Sequence, residues 1–231
     1  MIGSPRAHYR LIDSTNARAR ELAVGGAPHG TLVTADEQTA GRGRQGRVWV
    51  APVGEALLMS LVVRELGAGT LPLAAAVAVA EACEELAPVE ARIKWPNDVW
   101  IDGRKVSGIL LEGRPQEGWA VIGIGLNVAI REFPDELRDI ATSLELSGAR
   151  DAGVERALAT LLERLDAWLA ARPEEAIAAW RERDALIGEP IRWYGGAGTA
   201  AGIDDKGSLL VDLDGGDGRT ALDAGEVHLL R

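Results

Sequence analysis

The sequence predicts an α+β fold in which helices flank a mixed β-sheet and a small C-terminal β-barrel follows. Apolar strands are interleaved with amphipathic and apolar helices over most of the chain, which is the first observation. The second is the pair Asp102-Gly103 between two strand-like runs, which favours a type I′ turn and so a hairpin. The third is a change after Gly188 to short alternating segments separated by turn residues. We therefore expect one domain over residues 1–187 and a second over residues 188–231.

Helices and strands can be placed in order along the first domain. Side chains between Asp13 and Asn16 can cap a helix, so a helix is predicted from Ala17 to Val24, before the Gly25-Gly26 pair. The segment from Leu71 to Leu86 is apolar around most of its circumference, which is typical of a buried helix. Apolar runs predict six strands around these helices: Thr31–Ala35, Leu57–Arg64, Ala91–Trp95, Val99–Ile101, Lys105–Glu112 and Trp119–Val128.

Two further helices precede the predicted barrel. Apolar residues recur at i, i+3, i+4 and i+7 from Val154 to Leu169, which predicts an amphipathic helix. The pair Arg172-Pro173 interrupts this pattern, and a second helix is predicted from about Glu174 to Leu186. Five short strands are predicted after it: Pro190–Tyr194, Thr199–Asp204, Ser208–Asp212, Arg219–Leu222 and Glu226–Leu230.

Composition excludes several classes of protein. The chain has 231 residues, and 25 basic against 35 acidic residues give a net charge of −10, so we expect neither nucleic acid nor an anionic membrane as a partner. A single cysteine, Cys83, excludes a disulfide framework and a thiolate zinc site, and three scattered histidines show no metal-ligand spacing. The longest apolar run, Leu71 to Ala80, is too short to span a bilayer. We therefore expect a soluble, cytoplasmic protein without a metal site of its own.

A basic glycine-rich segment, GRGRQGRVW from Gly41 to Trp49, is called the arginine loop below. Its first six residues satisfy the dinucleotide-binding pattern G-x-G-x-x-G, but the residues after Gly46 are β-branched or aromatic and reach Pro52, so no helix begins there. The kinase pattern also fails, because the chain lacks the H-R-D and D-F-G motifs. The loop is either a mobile surface turn or an anion-binding site.

Two other segments stand out from the predicted core. In KWPND, Lys94 and Asp98 flank a rigid Trp-Pro turn and either meet a phosphate with its metal or remain solvated. In GIGLN, Gly123 and Gly125 occupy alternate strand positions, which indicates a bulge or the close approach of a ligand or of another backbone segment. Asn127 adds a donor and an acceptor. The three segments and the predicted hairpin supply five cations suited to a polyphosphate: Arg42, Arg44, Arg47, Lys94 and Lys105.

The chain resembles the biotin protein ligase family in five motifs that occur in the family's order and spacing. They are DSTN (Asp13–Asn16), QTAGRGRQGR (Gln38–Arg47) with Trp49, KWPND (Lys94–Asp98), RKVSGILLE (Arg104–Glu112) and GIGLNV (Gly123–Val128). The resemblance implies a class II synthetase-like catalytic domain followed by an SH3-like barrel. It begins just before DSTN, so we expect a monofunctional form lacking an N-terminal DNA-binding domain. Gln45, where arginine is frequent, and Leu57-Leu58, where an aromatic residue is frequent, depart from the family pattern.

The resemblance also implies an activity. With ATP and Mg²⁺, such an enzyme converts biotin to biotinyl-5′-AMP and transfers biotin to a lysine of a biotin carboxyl carrier domain; a homodimer is implied as well. By motif position, the residues at the biotin end are Ser14, Thr15, Asn16 and Gln38. Those around its carboxylate and the adenylate are Arg42, Gly43, Arg44 and Lys105. Those facing ATP are Arg44, Arg47, Trp49, Lys94, Asn97 and Asn127.

Three residues of the five motifs are the candidates for catalysis. Lys105 and Arg42 are expected to stabilise the charge that spreads to the departing pyrophosphate. Asp98 is a candidate base for the acceptor lysine, although metal binding or capping of a strand end is an equal alternative. The arginine loop is expected to order over the mixed anhydride and to exclude water from it.

Three competing functions remain open at this point. A lipoate or octanoate ligase or transferase resembles this chain in fold and in carrier-lysine chemistry. A non-catalytic module could retain biotin or its adenylate without transferring it. A nucleic-acid-binding protein could use the arginine loop, but the acidic net charge and the absence of a second basic patch argue against it.

Overall fold

The computed structural model describes residues 2–64, 69–151, 153–216 and 218–230. The first of its two sheets has seven strands: β1 (Arg6–Tyr9), β2 (Leu32–Ala35), β3 (Ala56–Arg64), β4 (Ala91–Lys94), β5 (Asp98–Ile101), β6 (Arg104–Arg114) and β7 (Trp119–Asn127). Their order across the sheet is β1-β2-β3-β7-β6-β5-β4. The sheet is mixed, because β1 pairs with β2 in parallel whereas the other neighbouring strands pair antiparallel.

Helices cover both faces of this sheet: α1 (Thr15–Val24), α2 (Leu71–Leu86), α3 (Val154–Ala170) and α4 (Pro173–Glu182). Val62 packs in the cluster with α1, whereas its neighbours Leu61 and Val63 pack in the cluster with α2. Because successive side chains of a strand point to opposite faces, α1 and α2 lie on opposite sides of the sheet. In the described residues, no helix is both long and apolar enough to cross a membrane.

Local signals predicted several elements correctly. The buried helix has the predicted bounds, because its small alanines allow α3, α4 and the sheet to pack around it. Asp102 (φ 50°) and Gly103 (φ 73°) both have positive φ, as a type I′ turn requires, so the hairpin is confirmed. The first helix begins two residues earlier than predicted, because the hydroxyl of Ser14 accepts the N–H of Ala17 and caps it.

Two differences concern short or terminal segments. Strand β1 was not predicted, because four residues that alternate between exposed and half-buried carry almost no pattern, and pairing with β2 defines it. The predicted helix from Glu174 to Leu186 is too long, since α4 ends at Glu182. The carbonyl of Arg183 accepts the N–H of Ile93 (2.7 Å) and the N–H of Ala185 donates to the Ile93 carbonyl (2.9 Å). This bridge to β4 takes backbone groups that a longer helix would have used.

The second sheet contains the five strands predicted for the barrel: β8 (Pro190–Trp193), β9 (Gly196–Ile203), β10 (Leu209–Leu213), β11 (Arg219–Leu222) and β12 (His228–Leu229). Their order is β11-β10-β9-β8-β12, and a sheet of five short strands fits the predicted SH3-like unit. Within the described ranges the edge strands β11 and β12 do not pair with each other, so closure into a barrel is not observed. The last strand is shorter than predicted, because Gly225 and Glu226 contact the arginine loop instead. The boundary at residue 187 stays a prediction.

The two sheets share a continuous core. Ile191, Ile203 and Leu209 of the second sheet belong to the same buried cluster as α2 and β4 of the larger unit. Trp95 Nε1 donates to the Gly207 carbonyl (3.0 Å), and the Arg181 guanidinium donates to the Ile203 carbonyl. The second sheet is therefore held against the end of β4.

Asp184, in the bridge that ends α4, gives stability a pH dependence. It is only 5 % exposed, and burial raises the pKa of its carboxyl group, although the N–H of Leu186 donates to it (2.8 Å). Because the folded-state pKa lies above the unfolded one, the ionised carboxylate costs stability above the folded pKa, and this cost disappears as the pH falls to the unfolded pKa. We expect wild type to gain stability relative to Asp184→Asn as the pH falls from about 8 to about 4.

The measurement is the free energy of unfolding in urea as a function of pH. Asp205→Asn is the control, because Asp205 has a side chain 90 % exposed and pairs with Arg181 at the surface. The assignment is contradicted if the free energy of unfolding of wild type minus that of Asp184→Asn stays constant, or decreases, as the pH is lowered.

Candidate functional site

A cavity forms where the start of α1, the arginine loop and strands β5, β6 and β7 converge. Of the residues expected at the site from sequence, its lining includes Ser14, Thr15, Asn16, Gln38, Arg42, Gly43, Arg44, Arg47, Trp49, Asn97, Asp98 and Lys105. Lys94 and Asn127 are not part of the lining. Segments far apart in sequence therefore meet in one place.

A buried polar network forms the cavity floor. The N–H and the hydroxyl of Thr15 both donate to Gln38 Oε1 (2.8 and 3.1 Å). The Ser60 hydroxyl lies within donating distance of Thr15 Oγ1 (2.8 Å) and of Asn16 Oδ1 (2.5 Å). Ser60 is completely buried and was not identified from sequence; its only signal was one polar residue within an apolar strand. These groups suit a neutral, hydrogen-bonding ligand.

The two glycines of β7 make room for this arrangement. A Cβ atom at Gly123 would lie 2.0 Å from Asn16 Oδ1, and one at Gly125 would lie 2.5 Å from the Trp49 ring. Both distances are far below van der Waals contact, so only glycine fits. The sequence predicted a bulge, a ligand or another backbone segment at these glycines, whereas the groups that approach them are the side chains of Asn16 and Trp49.

The arginine loop folds back on itself beside the cavity. The N–H of Gly43 donates to the Arg47 carbonyl (2.8 Å), and the N–H of Trp49 donates to the Gly41 carbonyl (3.1 Å). A single 3₁₀ turn forms the tip, where Gln45 has a φ of 54°. The loop is thus a tight hairpin, held by backbone hydrogen bonds, from which the arginine side chains extend.

Two residues that precede β12, Gly225 and Glu226, contact the tip of the loop, and sequence reasoning missed both. The Arg47 guanidinium forms an ion pair with Glu226, and Arg44 Nη2 donates to the Gly225 carbonyl (3.4 Å). Both partners also line the cavity. Burial lowers the pKa of Arg44, while the charges of Asp98 and Glu226 oppose that effect. No sequence pattern pointed to these contacts, because they join positions at opposite ends of the chain.

Lys105 lies at the centre of the site's charges. Its Nζ atom is 2.7 Å from Asp98 Oδ1 and 5.5 Å from the centroid of the Trp49 ring. The Nζ atom of Lys94 lies 5.3 Å from the centroid of the Trp100 ring, and burial lowers the pKa of its ammonium group. Lys105 lines the cavity and is in place to meet an anion there, whereas Lys94 is not part of the lining.

The two asparagines expected near ATP have different positions. Asn97 lines the cavity while its Nδ2 donates to the Ile109 carbonyl (2.9 Å). Asn127 is 5 % exposed, and its Nδ2 donates to the Thr142 carbonyl (2.9 Å). The donor of Asn127 therefore holds the segment that follows β7.

The carboxylates in the lining are Asp98 and Glu226, and each is paired with a cation. The described ranges contain no cluster of three or more His, Cys, Asp or Glu side chains that could hold a metal ion. The arrangement as a whole offers neutral hydrogen-bonding groups at its floor and four cations beside them: Arg42, Arg44, Arg47 and Lys105. Such a cavity suits a molecule with a neutral polar head and an acidic group next to phosphates.

Comparison with known proteins agrees with this chemistry. The model of the biotin/lipoate A/B protein ligase family matches residues 8–128. The chain is 38% identical to the biotin--[acetyl-CoA-carboxylase] ligase of Mycobacterium tuberculosis over 94% of this chain and 86% of that protein. It is also 38% identical to the enzyme of that name from Paracoccus denitrificans, over 93% of this chain and 96% of the relative.

Solved structures extend the likeness to both sheets. The biotin protein ligase from Aquifex aeolicus in complex with biotin and ATP superposes with a TM-score of 0.85 at 33% sequence identity, covering 99% of each chain. The chain therefore belongs to the biotin/lipoate A/B protein ligase family.

Proposed function

We propose that this protein is a biotin–protein ligase, which activates biotin with ATP to biotinyl-5′-AMP and then transfers biotin to a lysine of a biotin carboxyl carrier domain. The main observation behind the proposal is that a neutral polar floor, Lys105 and three arginines lie in a single cavity. A lipoyl or octanoyl chain offers no hydrogen-bonding head for such a floor. The relatives named as biotin ligases support the same choice.

In the first step the biotin carboxylate attacks the α-phosphorus of ATP and pyrophosphate leaves. We assign the biotin head to Ser14, Thr15, Asn16 and Gln38, and its carboxylate with the adenylate to Arg42, Gly43, Arg44 and Lys105. Two anions repel each other, so cations must hold them at reacting distance and stabilise the charge on the leaving group. Lys105 and Arg42 have this role. Mg²⁺ enters with ATP as the substrate complex, bound mainly through phosphate oxygens.

The pairing of Lys105 with Asp98 connects the two steps. The Nζ–Oδ1 distance of 2.7 Å means that a bound carboxylate competes with Asp98 for the lysine. Once biotin or its adenylate engages Lys105, the Asp98 carboxylate is available to accept a proton. The acceptor lysine must lose a proton before its amine attacks the mixed anhydride and AMP leaves. Asp98 is our candidate for that base.

The arginine loop protects the adenylate. With the loop in its observed position the cavity holds about 110 Å³, whereas pockets for small molecules usually span ~300–1,000 Å³. Biotin and ATP therefore require the loop to move, and its return would exclude water from the anhydride. Arg44, Arg47, Trp49 and Asn97 line the cavity and are the proposed ATP contacts. Lys94 and Asn127, which are not part of the lining, remain proposed ATP contacts.

The proposed partners follow from the reaction. The protein partner is a carrier domain whose lysine reaches the cavity, and biotin and ATP are the small-molecule substrates. A homodimer is part of the proposal, on the strength of the family resemblance. We place the reaction in the cytoplasm, where ATP and newly made carrier domains meet.

The first test is ATP–pyrophosphate exchange with a single added acid. We expect biotin to stimulate exchange, because the polar floor recognises its ureido ring and the cations recognise its carboxylate. Lipoate and octanoate are the comparison acids, at equal concentration. Exchange with lipoate or octanoate but not with biotin would indicate a lipoate or octanoate ligase instead. Absence of exchange with all three acids would indicate a non-catalytic binding module.

Lys105→Ala should lower the rate of biotinyl-AMP formation by on the order of 100-fold or more, because a cation at the developing charge is removed. Rates are measured by single-turnover formation of the adenylate. Lys206→Ala is the control, because it removes a lysine from the β9–β10 turn of the second sheet. Near-normal adenylate formation by Lys105→Ala, with the fold intact by circular dichroism, would remove this assignment.

Asp98→Asn should slow transfer more than adenylate formation. The asparagine keeps an oxygen that can accept from Lys105 but cannot take up a proton, so we expect a loss on the order of 100-fold in transfer. Pre-formed biotinyl-AMP and a purified carrier domain separate the two steps. Asp102→Asn, in the turn that follows β5, is the matched control. An equal loss in both steps would contradict the role as base.

A further inference from the structure

Glu112 contacts the cavity floor from outside the lining. It lies on β6 with 26% of its side chain exposed. Its Oε2 atom accepts a hydrogen bond from Asn16 Nδ2 (2.9 Å), and its Oε1 atom accepts one from Arg20 Nη1 (3.3 Å). Asn16 and Arg20 both belong to α1, so Glu112 connects strand β6 to this helix.

The contact decides which way the Asn16 amide points. An asparagine side chain can place either its oxygen or its nitrogen toward a given neighbour, and its partners determine the choice. Here Nδ2 points to the Glu112 carboxylate and Oδ1 points to the Ser60 hydroxyl, 2.5 Å away. The flipped amide would place Oδ1 against a carboxylate oxygen, where two acceptors repel each other. Glu112 therefore excludes the flipped orientation.

The orientation of Asn16 agrees with that of the rest of the floor. Ser60 has one hydroxyl hydrogen, and both groups within its reach, Asn16 Oδ1 and Thr15 Oγ1, are acceptors. The Thr15 hydroxyl donates to Gln38 Oε1, and the Thr15 N–H donates to the same oxygen. Gln38 consequently turns its oxygen toward α1 and keeps its Nε2 donor for other partners. Within the network Ser60 donates to Thr15 or Asn16, Thr15 donates to Gln38, and Asn16 donates to Glu112.

We infer that Glu112 is a positioning residue that fixes the orientation of the Asn16 amide in the floor, so that the floor favours a ligand head with a carbonyl acceptor. The inference rests on the proposed function, in which the ureido carbonyl of biotin is that acceptor. Arg20 supplies a positive charge next to the carboxylate and keeps it directed at α1. An alkyl chain or a dithiolane ring has no carbonyl and gains nothing from the fixed orientation.

Glu112→Ala and Glu112→Gln test the inference together. The alanine variant should raise the KM for biotin on the order of tenfold in ATP–pyrophosphate exchange, because the Asn16 amide can then flip. The KM for ATP and the melting temperature should stay near the wild-type values. The glutamine variant should resemble wild type, because its side-chain oxygen can still accept from Asn16 Nδ2. Glu21→Ala removes a carboxylate that pairs with Arg18 on the exposed face of α1 and serves as the control.

A swap of the two groups provides a second, independent measurement. Asn16→Asp places two carboxylates against each other and should raise the KM for biotin more than Glu112→Ala does. Adding Glu112→Gln to Asn16→Asp should return the KM for biotin most of the way to the wild-type value. The glutamine amide then donates to the aspartate, while the second aspartate oxygen still accepts from Ser60. The net charge of the pair is the same as in wild type.

The outcomes separate the inference from the proposed function. A glutamine variant as impaired as the alanine variant, or a double variant no better than Asn16→Asp, would mean that charge or packing matters rather than the amide orientation, and the inference would fall. Equal increases in the KM values for biotin and ATP would overturn it as well. Wild-type protein without biotin-dependent exchange would remove the proposed function and, with it, this inference.

Discussion

The site depends on the absence of two side chains from the central strand of the larger sheet. Strand β7 occupies the middle of the seven-stranded order, and its Gly123 and Gly125 allow Asn16 and Trp49 to lie directly against the backbone. A methyl group at either position would displace the start of α1 or the residue that closes the arginine loop. Both the polar floor and the position of that loop therefore rest on backbone that only glycine leaves accessible.

The positive charge in the cavity is partly offset before any ligand arrives. The chain as a whole carries a net charge of −10, yet Arg42, Arg44, Arg47 and Lys105 gather in one cavity. Asp98 and Glu226 offset part of this charge through direct ion pairs. Unpaired cations held together in a partly buried space would repel one another and destabilise the fold. The internal carboxylates reduce this repulsion, and an anionic ligand can replace them as partners.

Sequence patterns predicted what local physics determines. The Ala-rich α2 and the Asp102-Gly103 turn follow from the residues themselves, and five ordered motifs indicated most of the residues that line the cavity. Contacts between distant positions were not predictable. Asn16 and Glu112 are 96 positions apart, and neither residue reveals the other. The end of α4 was missed for the same reason, because β4 competes for its backbone groups.

The contacts between the arginine loop and the second sheet have a thermodynamic consequence. Arg47 and Arg44 contact Glu226 and Gly225, which lie in the segment before the last strand of that sheet. A ligand that changes the position of the loop must therefore also change the free energy of these contacts. By linkage, the effect is reciprocal: whatever loosens or tightens the C-terminal strands alters the affinity of the cavity for its ligand. The segment before the last strand of the small sheet is then energetically coupled to the cavity.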